Sequence, residues 1–218
     1  MSIMRNVQPR AATQVPEPPI ARFLFADTRM AWFWLIVRLY VGWQWLVAGI
    51  DKLTGYSIDF GSFGTHVGNS WIFTSHLGAP LADFLHGALT PANIANPATG
   101  WYVWFVQHIA IPGAGVFTYL VTFGEILVGL GLIFGVLTGI AAFFGLFMNL
   151  NFMMAGAVSI NPIIGGLALF IMLAWRVAGY YGGDRYLLPL FGTPWTGTLA
   201  RKPKESGTVT PPAVHAIS

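Results

Sequence analysis

The sequence predicts an all-α membrane protein, a polytopic four-helix bundle with a folded extracytoplasmic loop between helices one and two. The first observation is composition. Charged residues make up 9% and hydrophobic residues 55% of the 218 residues, whereas about 25% of a typical soluble domain is charged. The second is the apolar pattern. Four segments approach the length of about 20 residues that a transmembrane helix requires, and they are 31–50, 116–137, 140–158 and 162–179.

The positions of the basic residues predict the orientation in the cell membrane. Lys and Arg are concentrated before the first span and after the last one. Because cytoplasmic flanks carry an excess of these residues, we expect both termini to be cytoplasmic. In the long segment between the first two spans, Lys52 is the single basic residue. The net charge of +3 therefore reflects anchoring to the lipid bilayer and gives no reason to expect nucleic acid as a partner.

Three regions follow from this topology. Residues 1–29 form a cytoplasmic N-terminal tail, 30–190 the membrane domain and 191–218 a cytoplasmic C-terminal tail. Within the membrane domain, the external segment 51–115 is too long for a simple connection and rich in aromatic residues, which favours a folded cap. Apolar spacing predicts two short helices in this cap, at 80–89 and 101–111.

The charged and amide residues within the spans are predicted to point into the bundle. Arg38, Glu125, Asn149 and Arg176 each have small or apolar residues three and four positions away. Such steps keep residues on one helix face, and small residues mark close helix contacts in membranes. An arginine side chain reaches several ångströms along its helix, so we expect Arg38 to be the ion-pair partner of Glu125. Arg176 is either a second partner or lies at the cytoplasmic interface.

Several motifs, taken in order, resemble those of the DoxX/DoxD family. They are Arg38-Leu39 with Gly42, Ala48 to Leu53 (AGIDKL), Gly124 to Leu132 (GEILVGLGL), Asn151 to Gly156 (NFMMAG), Asn161-Pro162, Arg176, Tyr180-Tyr181-Gly182 and Asp184-Arg185. They cover about residues 30–190. The best-defined members of this family are membrane subunits of thiosulfate:quinone oxidoreductase.

The resemblance implies a four-helix bundle and a function. We expect a membrane subunit of a quinone-linked oxidoreductase that oxidises thiosulfate or a related sulfur compound, with a second subunit or a redox complex as partner. A non-catalytic membrane anchor or scaffold for a redox complex remains an alternative. A small-molecule carrier is a further alternative, weakened by the lack of the internal repeat that many transporters have.

The resemblance also gives the buried charges candidate roles. A protonatable carboxylate near a quinone carbonyl is useful in acid–base chemistry, so Glu125 with Arg38 is the candidate catalytic pair. Asn149 and Arg176 are candidate quinone-binding residues, and Lys52 is a candidate guide for an anionic substrate. A purely structural ion network that fixes helix register explains the same residues, and both interpretations stay open.

The external histidines give no metal signature. His66, His76, His86 and His108 do not have the spacing of a metal site, and the chain has no cysteine, so we predict no bound metal. The lack of cysteine also excludes a thiol relay within this chain. His108 lies on the aromatic stretch, where it either anchors the chain at the membrane interface or binds a lipid headgroup or a quinone ring.

Overall fold

The computed structural model describes residues 18–59 and 64–190, and most of them are helical. The first half of this region contains helices α1 (Pro19–Ala26) and α2 (Ala31–Thr54), with a 3-10 turn (Thr28–Met30) between them. Two antiparallel strands follow, β1 (Tyr56–Asp59) and β2 (Gly64–Val67), with Tyr56 opposite Val67. The cap then continues with α3 (Ala79–His86), α4 (Pro91–Ala95) and α5 (Gly100–Phe105), which ends in a π-helical turn (Val106–Ala110).

The second half contains the remaining apolar helices. These are α6 (Ala114–Phe134), α7 (Thr138–Met154), α8 (Asn161–Leu173), the short α9 (Trp175–Ala178) and α10 (Asp184–Leu190). Segment Thr28–Thr54 and helix α6 are long and apolar enough to cross a membrane, while α7 and α8 are shorter apolar helices. The four predicted spans thus coincide with four helices, although the fourth is interrupted after Leu173.

Helices α2 and α6 run antiparallel and approach each other closely through glycines. A Cβ atom on Gly129 would lie 2.6 Å from the backbone nitrogen of Leu46, and one on Gly49 would lie 2.8 Å from that of Ile126. Neither position has room for a side chain. The close approach sets the register of the two helices, with Gly49 beside Glu125 near the end of α2.

Two separate hydrophobic clusters form the interior. The first lies in the bundle and includes Trp34, Val41, Trp45, Leu132, Ala142 and Ile171. The second joins the cap to α6 and α7, and includes Leu81, Leu85, Tyr102, Val106 and Ala155. The predicted folded cap therefore has its own core, with helices at 79–86 and 100–105 close to where the sequence predicted them.

Some predictions for the cap and tails need correction or lie outside the described residues. The hairpin of β1 and β2 and the helix α4 were not predicted, because their sequences are too short to show a periodic pattern. Helix α1 lies within the predicted N-terminal tail, and the Trp34 indole nitrogen of α2 donates to Leu24 O in α1 (2.8 Å). The other tail predictions, for residues 1–17 and 191–218, lie outside the described residues.

The close approach of α2 and α6 gives a prediction for Gly129→Ala. The added methyl group would meet the backbone of Leu46, and such overpacking costs about 1–3 kcal/mol. We expect the free energy of unfolding in detergent to fall by this amount. Gly166→Ala on α8 is the matched control, because a Cβ there meets nothing within 4 Å. Equal stability of the two variants would contradict the proposed contact.

Candidate functional site

The candidate site is centred on an ion pair between α2 and α6. The Lys52 ammonium nitrogen lies 2.9 Å from Glu125 Oε1 and 2.8 Å from Oε2. Glu125 is 1% exposed and the Lys52 side chain 15%. Lys52 belongs to the last turn of α2, whereas Glu125 lies in the middle of α6. The antiparallel register of the two helices therefore brings the two charges together.

Aromatic rings surround the lysine side of this pair. Lys52 Nζ lies 5.1 Å from the ring centroid of Trp71 and 5.9 Å from that of Phe152, both within the range of cation–π attraction. The pair lines a cavity of about 410 Å³ together with Trp45, Phe84, Trp71, Phe152 and Asn161. This volume falls in the range of about 300–1,000 Å³ that is typical of small-molecule sites. We call it the ion-pair cavity.

The predicted pair of Arg38 with Glu125 is wrong. Arg38 Nη1 donates to the carbonyl oxygen of Ala178 (3.0 Å) and Nη2 to that of Tyr181 (3.1 Å). Arg38 and Lys52 are 14 positions apart, about 21 Å along a helix. Because α2 and α6 are antiparallel, the first half of α2 packs against the C-terminal end of α6, so Arg38 lies beside Gly135 and not beside Glu125.

Arg38 belongs to a second polar cluster, at the turn between α6 and α7. Its guanidinium occupies the space where a Cβ on Gly135 would lie. The Asp184 carboxylate accepts from the backbone nitrogens of Leu137 (2.6 Å) and Thr138 (2.8 Å). Leu137 has the unusual φ of 50°, so these hydrogen bonds stabilise a conformation that is unfavourable for leucine. The cluster holds the turn in place.

Sequence reasoning missed the role of Asp184. The carboxylate lies 46 positions away from the nitrogen of Thr138, and no local pattern links the two. The only available signal was its place in a family-like motif.

Asn149 is buried, as predicted, and lies next to the cavity without lining it. Its side-chain nitrogen donates to Asn161 Oδ1 (3.2 Å), and Asn161 lines the ion-pair cavity. Asn151, two positions further along, donates instead to Phe147 O (2.8 Å). The two asparagines thus have separate partners, and Asn149 positions Asn161.

Arg176 and His108 lie away from the ion-pair cavity. Arg176 does not point into the bundle as a second partner of Glu125, because it is exposed and its guanidinium lies 5.4 Å from the Trp175 ring. The alternative position at the cytoplasmic interface stays a prediction. His108 is also exposed, and its Nδ1 lies 2.9 Å from the carbonyl oxygen of Trp104. A carbonyl only accepts, so this nitrogen carries the proton.

Within residues 18–59 and 64–190, no three metal-ligating side chains are close enough to hold an ion.

The fold and the site define a class of protein, a helical and largely apolar chain with a buried ion pair at an aromatic cavity. The family model described as DoxX matches residues 33–160, more than half of the chain, and the chain belongs to the DoxX family. It is accordingly a membrane-associated protein. The matched region contains both members of the ion pair. No curated protein and no solved structure matches the chain.

The ion pair gives a prediction for single and paired substitutions. Lys52→Met leaves the Glu125 carboxylate buried without its partner, which costs about 3–5 kcal/mol. Adding Glu125→Met removes the unpaired charge, so we expect the double variant to regain most of the lost unfolding free energy. Denaturant titration in detergent measures both. A double variant less stable than Lys52→Met would contradict the pairing.

The separation of the two polar clusters is tested by Arg38→Met. Substitutions at sites more than about 10 Å apart that share no partners have additive effects. We expect the losses from Arg38→Met and Lys52→Met to add within about 0.5 kcal/mol. A strong deviation from additivity would mean that Arg38 and Glu125 do interact.

Proposed function

We propose that the protein is the membrane subunit of a quinone-linked oxidoreductase and that the ion-pair cavity binds the quinone ring. The observation that carries this proposal is the carboxylate–ammonium pair of Glu125 and Lys52 in the wall of a cavity of about 410 Å³. A buried ion pair is weak evidence of a stabilising role, because desolvation offsets the attraction. Ionisable residues within membrane helices instead tend to mark functional sites.

The lining of the ion-pair cavity fits a flat ring with carbonyl oxygens. Trp71, Phe84 and Phe152 offer ring faces and edges for stacking. The Lys52 ammonium has three N–H groups, and the two oxygens of Glu125 engage at most two of them. The third is free to donate to a carbonyl oxygen in the cavity.

The chemistry assigned to the two side chains follows from their charges. A bound quinone supplies an acceptor for two electrons and two protons. As a carboxylate, Glu125 is suited to accept a proton from the aqueous side and pass it to a quinone oxygen, and Lys52 is suited to stabilise negative charge at the same oxygen. In the thiosulfate version of the reaction, two thiosulfate ions form one S–S bond and release two electrons, which with two protons convert quinone to quinol.

The thiosulfate assignment rests on the resemblance to thiosulfate:quinone oxidoreductase subunits. The chain has no cysteine, so it has no thiol pair with which to relay the electrons. We therefore include a second oxidoreductase subunit, which would supply the sulfur chemistry, in the proposal. The prediction that Lys52 guides the anionic donor is not part of this proposal, because its ammonium is paired with the Glu125 carboxylate.

The proposed function includes four membrane crossings with both termini cytoplasmic. Helix α7 has 17 residues, the lower limit for a crossing. Helix α8 continues into α9 after Ala174, so that 161–178 together has the length of a span. Large apolar side chains are exposed along α2, α6, α7 and α8, as expected for contact with lipid. They include Ile36, Leu127, Phe143, Phe147 and Leu173.

The absence of native cysteine allows a direct test of this topology. We expect Ala98→Cys in the cap to react with a membrane-impermeant maleimide added to intact cells. Tyr186→Cys in α10, where the tyrosine is 74% exposed, should react only after the cells are opened. Labelling of both variants in intact cells would contradict the proposed orientation.

The catalytic assignment is tested by Glu125→Gln in the purified protein with its co-purifying partners. The amide keeps the size of the side chain but cannot transfer a proton, and general acid–base catalysis contributes about 10²–10⁴-fold. We expect thiosulfate-dependent quinone reduction to fall at least about 100-fold, with an unchanged circular dichroism spectrum.

Asp83→Asn is the control for this experiment. It makes the same chemical change at an exposed carboxylate on α3 and should leave the rate unchanged. Full activity of Glu125→Gln would refute the acid–base role. If the unaltered protein shows neither turnover nor quinone binding, with or without its partners, the proposed function is refuted and the anchor or scaffold is favoured.

A further inference from the structure

An apolar groove lies between α6 and α7, next to the ion-pair cavity. It has a volume of about 710 Å³ and is lined by Phe117, Leu120, Gly124 and Leu127 of α6, and by Phe144 and Met148 of α7. The groove opens sideways, because Leu120 is 60%, Leu127 67% and Phe144 53% exposed. In the proposed topology this opening faces the hydrocarbon of the bilayer.

The few polar groups in the lining are already engaged. The Tyr102 hydroxyl donates to the carbonyl oxygen of Asn151 (2.9 Å), and the Asn151 side chain donates to Phe147 O (2.8 Å). Burial raises the pKa of Tyr102 to about 12, so its hydroxyl is neutral at physiological pH. The groove is therefore suited to a hydrocarbon chain and offers little to a polar ligand.

The groove and the ion-pair cavity share a wall. Phe84 and Phe152 line both spaces, and their rings meet edge to face with centroids 5.9 Å apart. On α6, Gly124 lines the groove and the next residue, Glu125, lines the cavity. A ligand with its polar ring in the cavity and its apolar tail in the groove would pass between these two rings, which would have to move apart to admit it.

We propose that the groove binds the isoprenoid tail of the quinone whose ring occupies the ion-pair cavity. This inference rests on the proposed function. The α6 lining extends from Phe117 to Gly131, about 21 Å at 1.5 Å per residue, which is long enough for several isoprene units. At Gly124, a Cβ atom would lie 3.1 Å from Met148 Sδ, so glycine keeps the groove open beside Glu125.

The polar end of the groove favours a quinone over a phospholipid. A phosphate headgroup requires basic side chains that are free to bind it. Lys52 is instead paired with the Glu125 carboxylate, which makes the site neutral overall, and the pair lies within a cavity rather than at an open surface. These features suit an uncharged ring.

The test compares two quinones with the same ring, one carrying a tail of several isoprene units and one carrying no tail. Their affinities are measured by equilibrium binding to the purified full-length protein in nanodiscs. Loss of contacts with one large apolar side chain is worth about 1.5–3 kcal/mol, which corresponds to at least about tenfold in affinity. We expect Phe144→Ala to weaken the tailed quinone by this factor and to leave the tail-less quinone unchanged.

Two matched controls distinguish the groove from general membrane effects. Phe143→Ala changes the neighbouring phenylalanine, which is 51% exposed and does not line the groove, and it should bind both quinones normally. Gly124→Leu fills the groove and should also weaken only the tailed quinone, whereas Gly166→Leu adds the same side chain where nothing lies within 4 Å. Phe144→Ala keeps the test valid if Gly124→Leu does not fold.

The outcomes separate this inference from the proposed function. Equal affinity for the two quinones, or equal effects of Phe144→Ala and Phe143→Ala, would overturn the tail site and leave the quinone proposal intact. Failure of both quinones to bind would overturn both proposals. Co-purified phospholipid that is lost in Phe144→Ala but is not displaced by the tailed quinone would assign the groove to an acyl chain and overturn the inference.

Discussion

The ion pair between Lys52 and Glu125, together with the glycine contacts beside it, fixes how the two longest helices fit together. It joins the last turn of α2 to the middle of α6, where Gly49 lets the backbones approach. A slip of the helices would leave a buried charge without its partner, at a cost of several kcal/mol. As a result, the first turns of α6 extend beyond the end of α2, and the cap packs around Phe117 on this free part. The ion-pair cavity lies where cap and bundle meet, and the apolar groove begins there and extends along α6 to the turn before α7.

The two buried polar clusters serve different purposes, and their chemistry differs accordingly. Arg38 donates to backbone carbonyls at the turn between α6 and α7, in a planar geometry for which arginine is well suited. Lysine is a compact charge that keeps a free N–H while it pairs with a carboxylate, and Lys52 lies beside a cavity. Arg38 thus holds backbone at one end of α2, and under the proposed function the pair at the other end interacts with a ligand.

The sequence allowed prediction of the helices and of the direction of most polar side chains, but not of their partners. Spacing by three and four correctly turned Glu125 and Asn149 inward, because that pattern is a property of one helix. The pattern contains no information on which residue of a neighbouring helix lies at the same depth. From the sequence, Glu125 was therefore paired with Arg38, whereas its partner in the structure is Lys52. Arg176 differs from the prediction for another reason. It continues the helix face of Gly165 and Leu169, and Leu169 is itself 40% exposed, so a buried glycine at the start of this face did not mean that the whole face is buried.

Under the proposed function, the relation between the ion-pair cavity and the groove meets two needs of quinone chemistry. A quinone with a long tail partitions into the bilayer and must reach its site from the side, whereas the protons must come from water. The groove opens sideways between α6 and α7. The Lys52 side chain, still 15% exposed, lies at the end of α2, on the outer side in the proposed topology. Phe84 and Phe152 separate these two approaches, so a quinone whose ring meets Glu125 while its tail stays in an apolar surrounding has to pass between their rings.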